Sequence, residues 1–208
     1  MVEVGDAPGH QEPARVLPRR RASRQRRLSR SFLILHGLEG SGPDHWQTWL
    51  AAELRARGER VSYPDLPDPF DPKPDEWLAA LQPELAAMDG ERIVLCHSLA
   101  CLVWLLNARA GATDVAERVL LVAPPCTDEV EPVARFRADG VTPRDVERAA
   151  RTTRMLCSEA DPYCPAGAAA IFGEPLALDY GVIPGGGHLN TEAGYGPWPD
   201  VKRWALTP

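Results

Sequence analysis

Apolar residues follow two alternating patterns along this chain from residue 31 onward. Short runs of consecutive apolar residues, typical of strands buried on both faces, alternate with longer segments in which apolar residues recur at helical spacing. The short runs predict strands at residues 31–36, 60–63, 92–96, 118–123 and 153–157, with a weaker strand at 176–182. The helical spacing predicts helices at residues 46–57, 75–88, 99–110, 145–150 and 199–206.

Regular alternation of strands and helices predicts an α/β fold, a mostly parallel sheet with helices on both faces, formed by residues 31–208 as one domain. In such sheets the reacting groups meet at the carboxyl ends of the strands. The only stretch long enough to cover that edge is residues 124–151, so we expect a compact domain without a large lid.

Residues 1–30 differ from the rest in composition. They mix Pro, Gly, Ser and Arg with few aliphatic residues, and eight arginines between Arg15 and Arg30 have no acid among them. Such a segment cannot bury enough apolar area to offset the entropy of ordering, which predicts a disordered tail. No apolar segment follows the basic run, which argues against a secretory signal and leaves an organelle transit peptide or an over-extended start site as alternatives.

Charge and cysteine content narrow the expected partners and location. Residues 31–208 carry 15 basic and 26 acidic side chains, so the folded domain should repel phosphate backbones and bind no nucleic acid. No apolar run approaches the roughly 20 residues of a membrane span, so we expect no membrane association. The five cysteines form no CxxC pair. Cys96 and Cys101 fall on a predicted strand end and a predicted buried helix, and these positions favour reduced thiols over a disulfide framework. Reduced thiols in turn predict a cytoplasmic location.

Ser98 is the candidate nucleophile. It follows the predicted strand at 92–96 directly and precedes a segment of helical periodicity, the position of a strained elbow that projects a hydroxyl above the sheet edge. The usual elbow sequence is G-x-S-x-G, and here the flanking positions hold the small residues Cys96 and Ala100. An ordinary helix N-cap is the alternative role for this serine.

A glycine-rich turn, LHGLEGSG at residues 35–42, follows the first predicted strand. Beside a serine elbow, such a turn supplies one backbone N–H of an oxyanion hole, here that of Leu38, while Leu99 after the serine supplies the other. A phosphate-binding loop lacks support, because the Gly-Lys-Ser/Thr ending is absent. A plain turn is the remaining alternative.

His188 is the candidate general base. It ends the sequence GGGH at residues 185–188, after the last predicted strand, where the glycines let the loop bend toward the serine. A surface histidine in a flexible loop is the alternative. The other histidines lie in the tail, beside Ser98, or in or near the glycine-rich turn, and none occupies the expected place after the last strand.

Asp161 is the candidate acid that orients the base. It follows the predicted strand at 153–157, and Pro162 excludes it from helical backbone geometry, which fixes its carboxylate in a loop at the strand's carboxyl end. Glu159 and Asp179 are rivals, but Glu159 is expected to face solvent and Asp179 falls inside a predicted strand.

With these residues in view, the chain resembles the small serine hydrolases of the retinoblastoma-binding-protein-9 and YdeN type. The resemblance spans residues 31–204 and rests on GSGPDHWQ at 40–47, HSL at 97–99, DPYC at 161–164, GHLN at 187–190 and GYGPWP at 194–199. It implies a compact α/β-hydrolase with Ser98 as nucleophile, Asp161 as acid and His188 as base. Ala100 departs from the glycine usual there, and Leu38 stands where bacterial relatives often carry tryptophan.

The expected function is hydrolysis of small ester or amide substrates through an acyl-enzyme, with no metal or cofactor. Two alternatives remain at this point. A non-catalytic binding protein could retain the fold, and an acyltransferase or thioesterase could use the same three residues.

Overall fold

A computed structural model describes Met1 and residues 29–207 of the chain. The prediction of a disordered tail therefore falls almost entirely outside the described residues. The first strand begins one residue earlier than predicted, at Arg30, whose side chain forms an ion pair with Glu59. The Ser29 carbonyl accepts a hydrogen bond from the Glu91 N–H at 2.8 Å.

The described residues form a three-layer α/β domain, as predicted. Its strands are β1 (Arg30–Leu35), β2 (Arg60–Ser62), β3 (Glu91–His97), β4 (Ala116–Val122), β5 (Ala150–Ser158) and β6 (Asp179–Ile183). Its α-helices are α1 (Trp46–Ala56), α2 (Pro74–Ala86), α3 (Leu99–Arg109), α4 (Glu131–Ala134), α5 (Pro143–Ala149) and α6 (Pro199–Leu206). A single π-helical segment covers Ala169–Gly173.

All six strands pair in parallel in the order β2-β1-β3-β4-β5-β6. Alternate residues of β1 enter two different apolar cores: Leu33 and Leu35 pack with α2 and α3, whereas Phe32 and Ile34 pack with α1 and α6. Burial on both faces explains why the strands are apolar at consecutive positions. The carboxyl ends of β1, β3, β4 and β5 consequently share one edge of the sheet.

Helix α3 lies in the centre of the molecule, with every residue from Leu99 to Ala108 buried. Only its last residue, Arg109, is exposed. A helix that is apolar on all sides is suited to a fully buried position. The residue immediately before α3 is therefore held between a central strand and a central helix.

The structure departs from the sequence-based prediction in the region between β4 and β6. Helix α4 and the π-helical segment were not predicted, because four or five residues are too few to establish a period. Strand β6 starts three residues later than expected, since its half-exposed edge position weakens the apolar signal. No helix in residues 29–207 is long and apolar enough to cross a membrane.

The cysteines require a correction. Cys96 and Cys101 are free and buried, as predicted, and Cys157 is also free and buried, but Cys126 and Cys164 form a disulfide that was not predicted. The two residues are 38 positions apart in sequence, yet they lie in the loops that follow the adjacent strands β4 and β5. Neither spacing nor a CxxC pair signals this bond, and the cytoplasmic location stays a prediction.

Candidate active site

Ser98 occupies a sharp turn between β3 and α3. Its backbone has φ = 53° and ψ = −125°, a left-handed φ that is strained for a residue with a side chain. The Ser98 N–H donates to the Val122 carbonyl of β4 at 2.9 Å, which ties the turn to the sheet. The side chain makes no capping hydrogen bond to α3, so the N-cap alternative does not describe this serine.

Gly37 allows the loop after β1 to approach this turn closely. A Cβ atom at Gly37 would lie 2.6 Å from the Ser98 Cβ and 3.1 Å from its Oγ. Distances under 3.0 Å between such atoms are not tolerated without a shift of the backbone. Residue 37 must therefore be a glycine for Ser98 to keep its position.

The ring of His188 lies between Ser98 and Asp161. Its Nε2 is 2.8 Å from Ser98 Oγ, and its Nδ1 is 2.9 Å from each carboxylate oxygen of Asp161. A carboxylate only accepts, so Nδ1 carries the proton and Nε2 accepts from the serine hydroxyl. All three residues are buried, with 8%, 7% and 3% of the surface of Ser98, His188 and Asp161 exposed.

The two rival acids lie elsewhere. Glu159 is exposed, and Asp179 is exposed at the start of β6 with its carboxylate in an ion pair with Arg154 at 3.1 Å. Among the described residues, His188 has a carboxylate neighbour only in Asp161.

The loop that carries Asp161 is braced at several points. The Tyr163 N–H donates to Asp161 Oδ1 at 2.9 Å, and the Tyr163 ring packs on His188 at 4.5 Å between centroids. The Tyr163 carbonyl accepts from the N–H groups of Cys126 and Thr127, at 2.8 and 3.1 Å. The disulfide between Cys126 and Cys164 adds a covalent link between the same two loops.

His36 fixes the first peptide of the glycine-rich turn. Its Nδ1–H donates to the Gly37 carbonyl at 2.8 Å, while its Nε2 accepts from the Leu66 N–H at 2.9 Å. Burial lowers the pKa of His36, against the weaker raising effects of the Gly37 carbonyl and Asp65, so the ring stays neutral near pH 7. In a trans peptide the carbonyl and the next N–H point in opposite directions, so the Leu38 N–H points away from His36.

Two backbone N–H groups near Ser98 are thus available to a ligand. The hydrogen bonds within residues 29–207 use neither the Leu38 N–H nor the Leu99 N–H, which begins α3. The first N–H groups of a helix have no partner within the helix and carry a partial positive charge. Both groups are suited to bind an oxygen that gains negative charge.

His97 holds the backbone of the His188 loop. Its Nε2 lies 3.1 Å from the His188 carbonyl and must donate to it, because a carbonyl only accepts. Burial, together with the nearby His188 and His45, keeps the pKa of His97 well below its usual range, so this donor is neutral. His97 was not predicted to have a role, although its place at the carboxyl end of β3 was a usable signal.

His45 caps helix α1 and also lines the site. Its Nδ1 accepts the Gln47 N–H at 3.2 Å, which leaves the proton on Nε2. Burial and the neighbouring His188 lower its pKa to about 4, so it is neutral near pH 7. His45 was not predicted as a site residue, since its proximity to Ser98 depends on how α1 packs.

These groups surround a cavity of about 330 Å³, which falls in the size range of small-molecule sites. Besides Ser98 and His188, it is lined by residues 37–42, Val133, Tyr163 and residues 190–192. Glu39 and Glu192 are exposed at its margin.

The sequence of this chain is similar to the sequences of known proteins. A family model described as serine hydrolase matches residues 32–205. YdeN of Bacillus subtilis (strain 168) is 28% identical over 74 residues, which cover 36% of this chain and 39% of YdeN. The sequence alignment thus spans well under half of that relative.

Solved structures show the same fold. The structure of the B. subtilis ydeN gene product superposes with a TM-score of 0.74 at 19% identity, covering 85% of this chain and 96% of that one. Est1E from Butyrivibrio proteoclasticus superposes with a TM-score of 0.61 at 15% identity, covering 86% and 88%. At such identities the superpositions establish the α/β-hydrolase fold alone, whereas the family model spans nearly the whole described domain, and the chain belongs to the serine hydrolase family.

Proposed function

We propose that the protein hydrolyses small carboxylic esters or amides through an acyl-enzyme on Ser98. The observation that carries the proposal is the continuous hydrogen-bonded chain from Ser98 Oγ through His188 to Asp161, at 2.8 and 2.9 Å. Nucleophile and base lie within hydrogen-bond reach, and a third group orients the base, which is the arrangement that nucleophilic catalysis requires.

In the first half of the reaction, His188 Nε2 takes the proton of Ser98 while Oγ attacks the carbonyl carbon of the substrate. The carbonyl oxygen becomes an oxyanion, to which Leu38 and Leu99 donate their backbone N–H groups. Asp161 stabilises the imidazolium and keeps the proton on Nδ1. The imidazolium then protonates the departing alcohol oxygen or amine nitrogen, and the acyl group stays on Oγ.

In the second half, water replaces the leaving group. His188 takes a proton from the water, the resulting hydroxide attacks the acyl carbon, and the oxyanion forms at the same two N–H groups. The imidazolium returns its proton to Ser98 Oγ as the carboxylic acid leaves. Every proton transfer uses one ring that is already hydrogen-bonded on both sides, so no side chain has to move far between the steps.

His97 and His45 support this reaction as neutral groups. His97 holds the backbone of the base, and its lowered pKa keeps a second positive charge away from the imidazolium that forms during catalysis. The lowered pKa of His45 has the same consequence. The size of the cavity supports substrates of modest length.

Turnover of p-nitrophenyl acetate by wild type and Ser98→Ala tests the proposal. We expect kcat to fall by on the order of 10⁴-fold or more, because removing the nucleophile removes the covalent step. Ser31→Ala is a matched control, since Ser31 is a buried serine near the amino end of the neighbouring strand β1, where its hydroxyl donates to the Asp89 carbonyl at 2.7 Å. Retention of more than a few per cent of wild-type turnover by a folded Ser98→Ala variant would overturn the assignment.

A further inference from the structure

Val133 of α4 lies between two cavities. It lines the cavity that contains Ser98, and it also lines a second cavity of about 390 Å³. Val133 is the residue that the two linings share. Val133 is 4% exposed and stands where the two linings meet, so we refer to its buried side chain as the wall between the two spaces.

The second cavity offers an apolar interior. Leu102 of α3, Phe172 and Leu176 are each less than a tenth exposed and line its inner part. The charged side chains that line it are exposed: Arg137 pairs with Asp128 and with Asp139, at 2.9 and 2.7 Å. With its charges paired near solvent, this space fits an uncharged hydrocarbon chain better than an ionic ligand.

The wall is held in place by the residues that follow it. Phe136 is fully buried and packs edge-on against the Trp77 ring of α2, at 5.5 Å between centroids. Arg135 forms ion pairs at 2.6 Å with Asp71 and with Glu131. Helix α4 is thereby attached to the loop before α2 and to α2 itself, so Val133 is not free to move aside.

We propose that Val133 sets the chain-length limit of the substrate by closing the reaction site from the second cavity. This inference rests on the proposed esterase function and narrows its substrate class to esters with a short apolar chain. Removal of two methyl groups by Val133→Ala would join the two cavities into one pocket that accepts a medium-length hydrocarbon chain. The chain could belong to the acyl group or to the alcohol, and the test separates the two.

The test measures kcat/KM for p-nitrophenyl acetate, butyrate, octanoate and dodecanoate with wild type, Val133→Ala and Val133→Leu. For wild type we expect the value to fall from butyrate to octanoate. If the chain lies on the acyl side, the octanoate-to-butyrate ratio should rise by about tenfold or more for Val133→Ala and fall for Val133→Leu, because each methylene in an apolar pocket changes kcat/KM about 10-fold or more. Hydrolysis of octyl acetate, measured by the release of acid, tests whether the chain lies on the alcohol side. The gain in kcat/KM for Val133→Ala should appear either with p-nitrophenyl octanoate or with octyl acetate, but not with both.

A second substitution identifies where the added chain lies. Ala138 lines the second cavity and not the reaction site, so Ala138→Phe in the Val133→Ala background should return the octanoate-to-butyrate ratio to the wild-type level. Thermal midpoints confirm that each variant is folded. If Val133→Ala does not fold, the ratio for Val133→Leu decides the question alone.

The inference is overturned if folded Val133→Ala and Val133→Leu keep the wild-type octanoate-to-butyrate ratio and the wild-type kcat/KM for octyl acetate, while all three proteins hydrolyse p-nitrophenyl acetate. It is also overturned if Ala138→Phe fails to reverse a gain. Absence of acetate hydrolysis in the folded wild type would instead refute the proposed function, so the two failures are distinct.

Discussion

Asp161 reaches Ser98 only through the imidazole between them. Both of its carboxylate oxygens lie 2.9 Å from His188 Nδ1, and one of them also accepts the Tyr163 N–H. The carboxylate therefore sets the tautomer of His188 and, in the proposed reaction, stabilises its charged form, while it does not line the cavity at Ser98. Loss of its charge should affect the chemical step and not substrate binding.

Asp161→Asn keeps the shape of the side chain and removes the charge. We expect kcat for an activated ester to fall by on the order of 10³- to 10⁴-fold with little change in KM. Glu159→Gln and Asp179→Asn are controls, because both carboxylates are exposed and distant from His188. A loss within about tenfold for Asp161→Asn, together with a collapse in either control, would mean that another residue is the acid.

Three buried histidines should make the fold sensitive to acid. Burial lowers the pKa of His36, His45 and His97 in the folded protein, and that of His45 reaches about 4. Their ordinary pKa of about 6.5 returns on unfolding, so the unfolded chain binds more protons below that pH. The free energy of unfolding should therefore fall as the pH decreases from about 6.5 toward 4.

Urea unfolding at pH 7, 6, 5 and 4 measures this dependence. His45→Asn keeps a capping side chain at the start of α1 but removes one titrating ring, so its free energy of unfolding should fall less steeply over this range. Between pH 7 and pH 4, the free energy of unfolding of wild type should fall by about 3 kcal/mol more than that of His45→Asn. Parallel curves for wild type and variant would show that His45 is not a source of the acid sensitivity.

At the scale of elements, the loops after β4 and β5 act as one unit. The disulfide joins them, and the Tyr163 carbonyl accepts two N–H groups from the β4 loop. Asp161 lies within this unit, three residues before Cys164. Because the backbone hydrogen bonds do not depend on the disulfide, its loss should reduce the stability of the fold more than the rate of reaction.

The Cys126→Ala/Cys164→Ala double variant tests this separation. A cross-link that closes a loop of 38 residues contributes about 3–4 kcal/mol, so the free energy of unfolding should fall by about that amount while kcat falls less than about tenfold. A reductant should lower the thermal midpoint of wild type and leave that of the double variant unchanged. Five reactive thiols in the denatured, unreduced wild type, instead of three, would show that the disulfide is absent.

Elements with a long apolar pattern were predictable from the sequence, and those that depend on neighbours were not. Strands β1 and β3 and helix α3 are buried on all sides, so their composition reports their place directly. Helix α4 has four residues, and its position is set by Phe136 and Arg135 packing on distant parts of the chain. The position of Val133 between the two cavities therefore could not be predicted from the sequence.

The candidate active site also contains residues that local sequence predicts and residues whose roles depend on packing. Ser98, Asp161 and His188 each follow a strand and could be chosen one at a time from local sequence. His36 and His45 take their roles from contacts with Leu66 and with the packed α1 helix, and the partner of Cys126 lies across a strand boundary. Such roles are properties of the packed structure, so local patterns carry no trace of them.

At the scale of the whole molecule, the sheet brings three separate strand ends together around one hydroxyl. Ser98 follows β3, Asp161 follows β5 and His188 follows β6, so the reactivity that we propose for the serine depends on the correct order of all the central strands. A serine outside such an arrangement has little nucleophilic character near neutral pH, because its hydroxyl stays protonated without a base. Reactivity of this one residue thus reports on the entire assembled site.

The most direct test of this account is covalent labelling of the native protein by a fluorophosphonate, followed by intact-mass measurement and peptide mapping. We expect one adduct per chain, on the peptide that contains Ser98, with no adduct on Ser98→Ala and slow labelling of His188→Ala. Denatured wild type should not react, because the base is then no longer beside the serine. A folded wild-type protein that remains unlabelled, or that carries its adduct on a residue other than Ser98, would contradict the account.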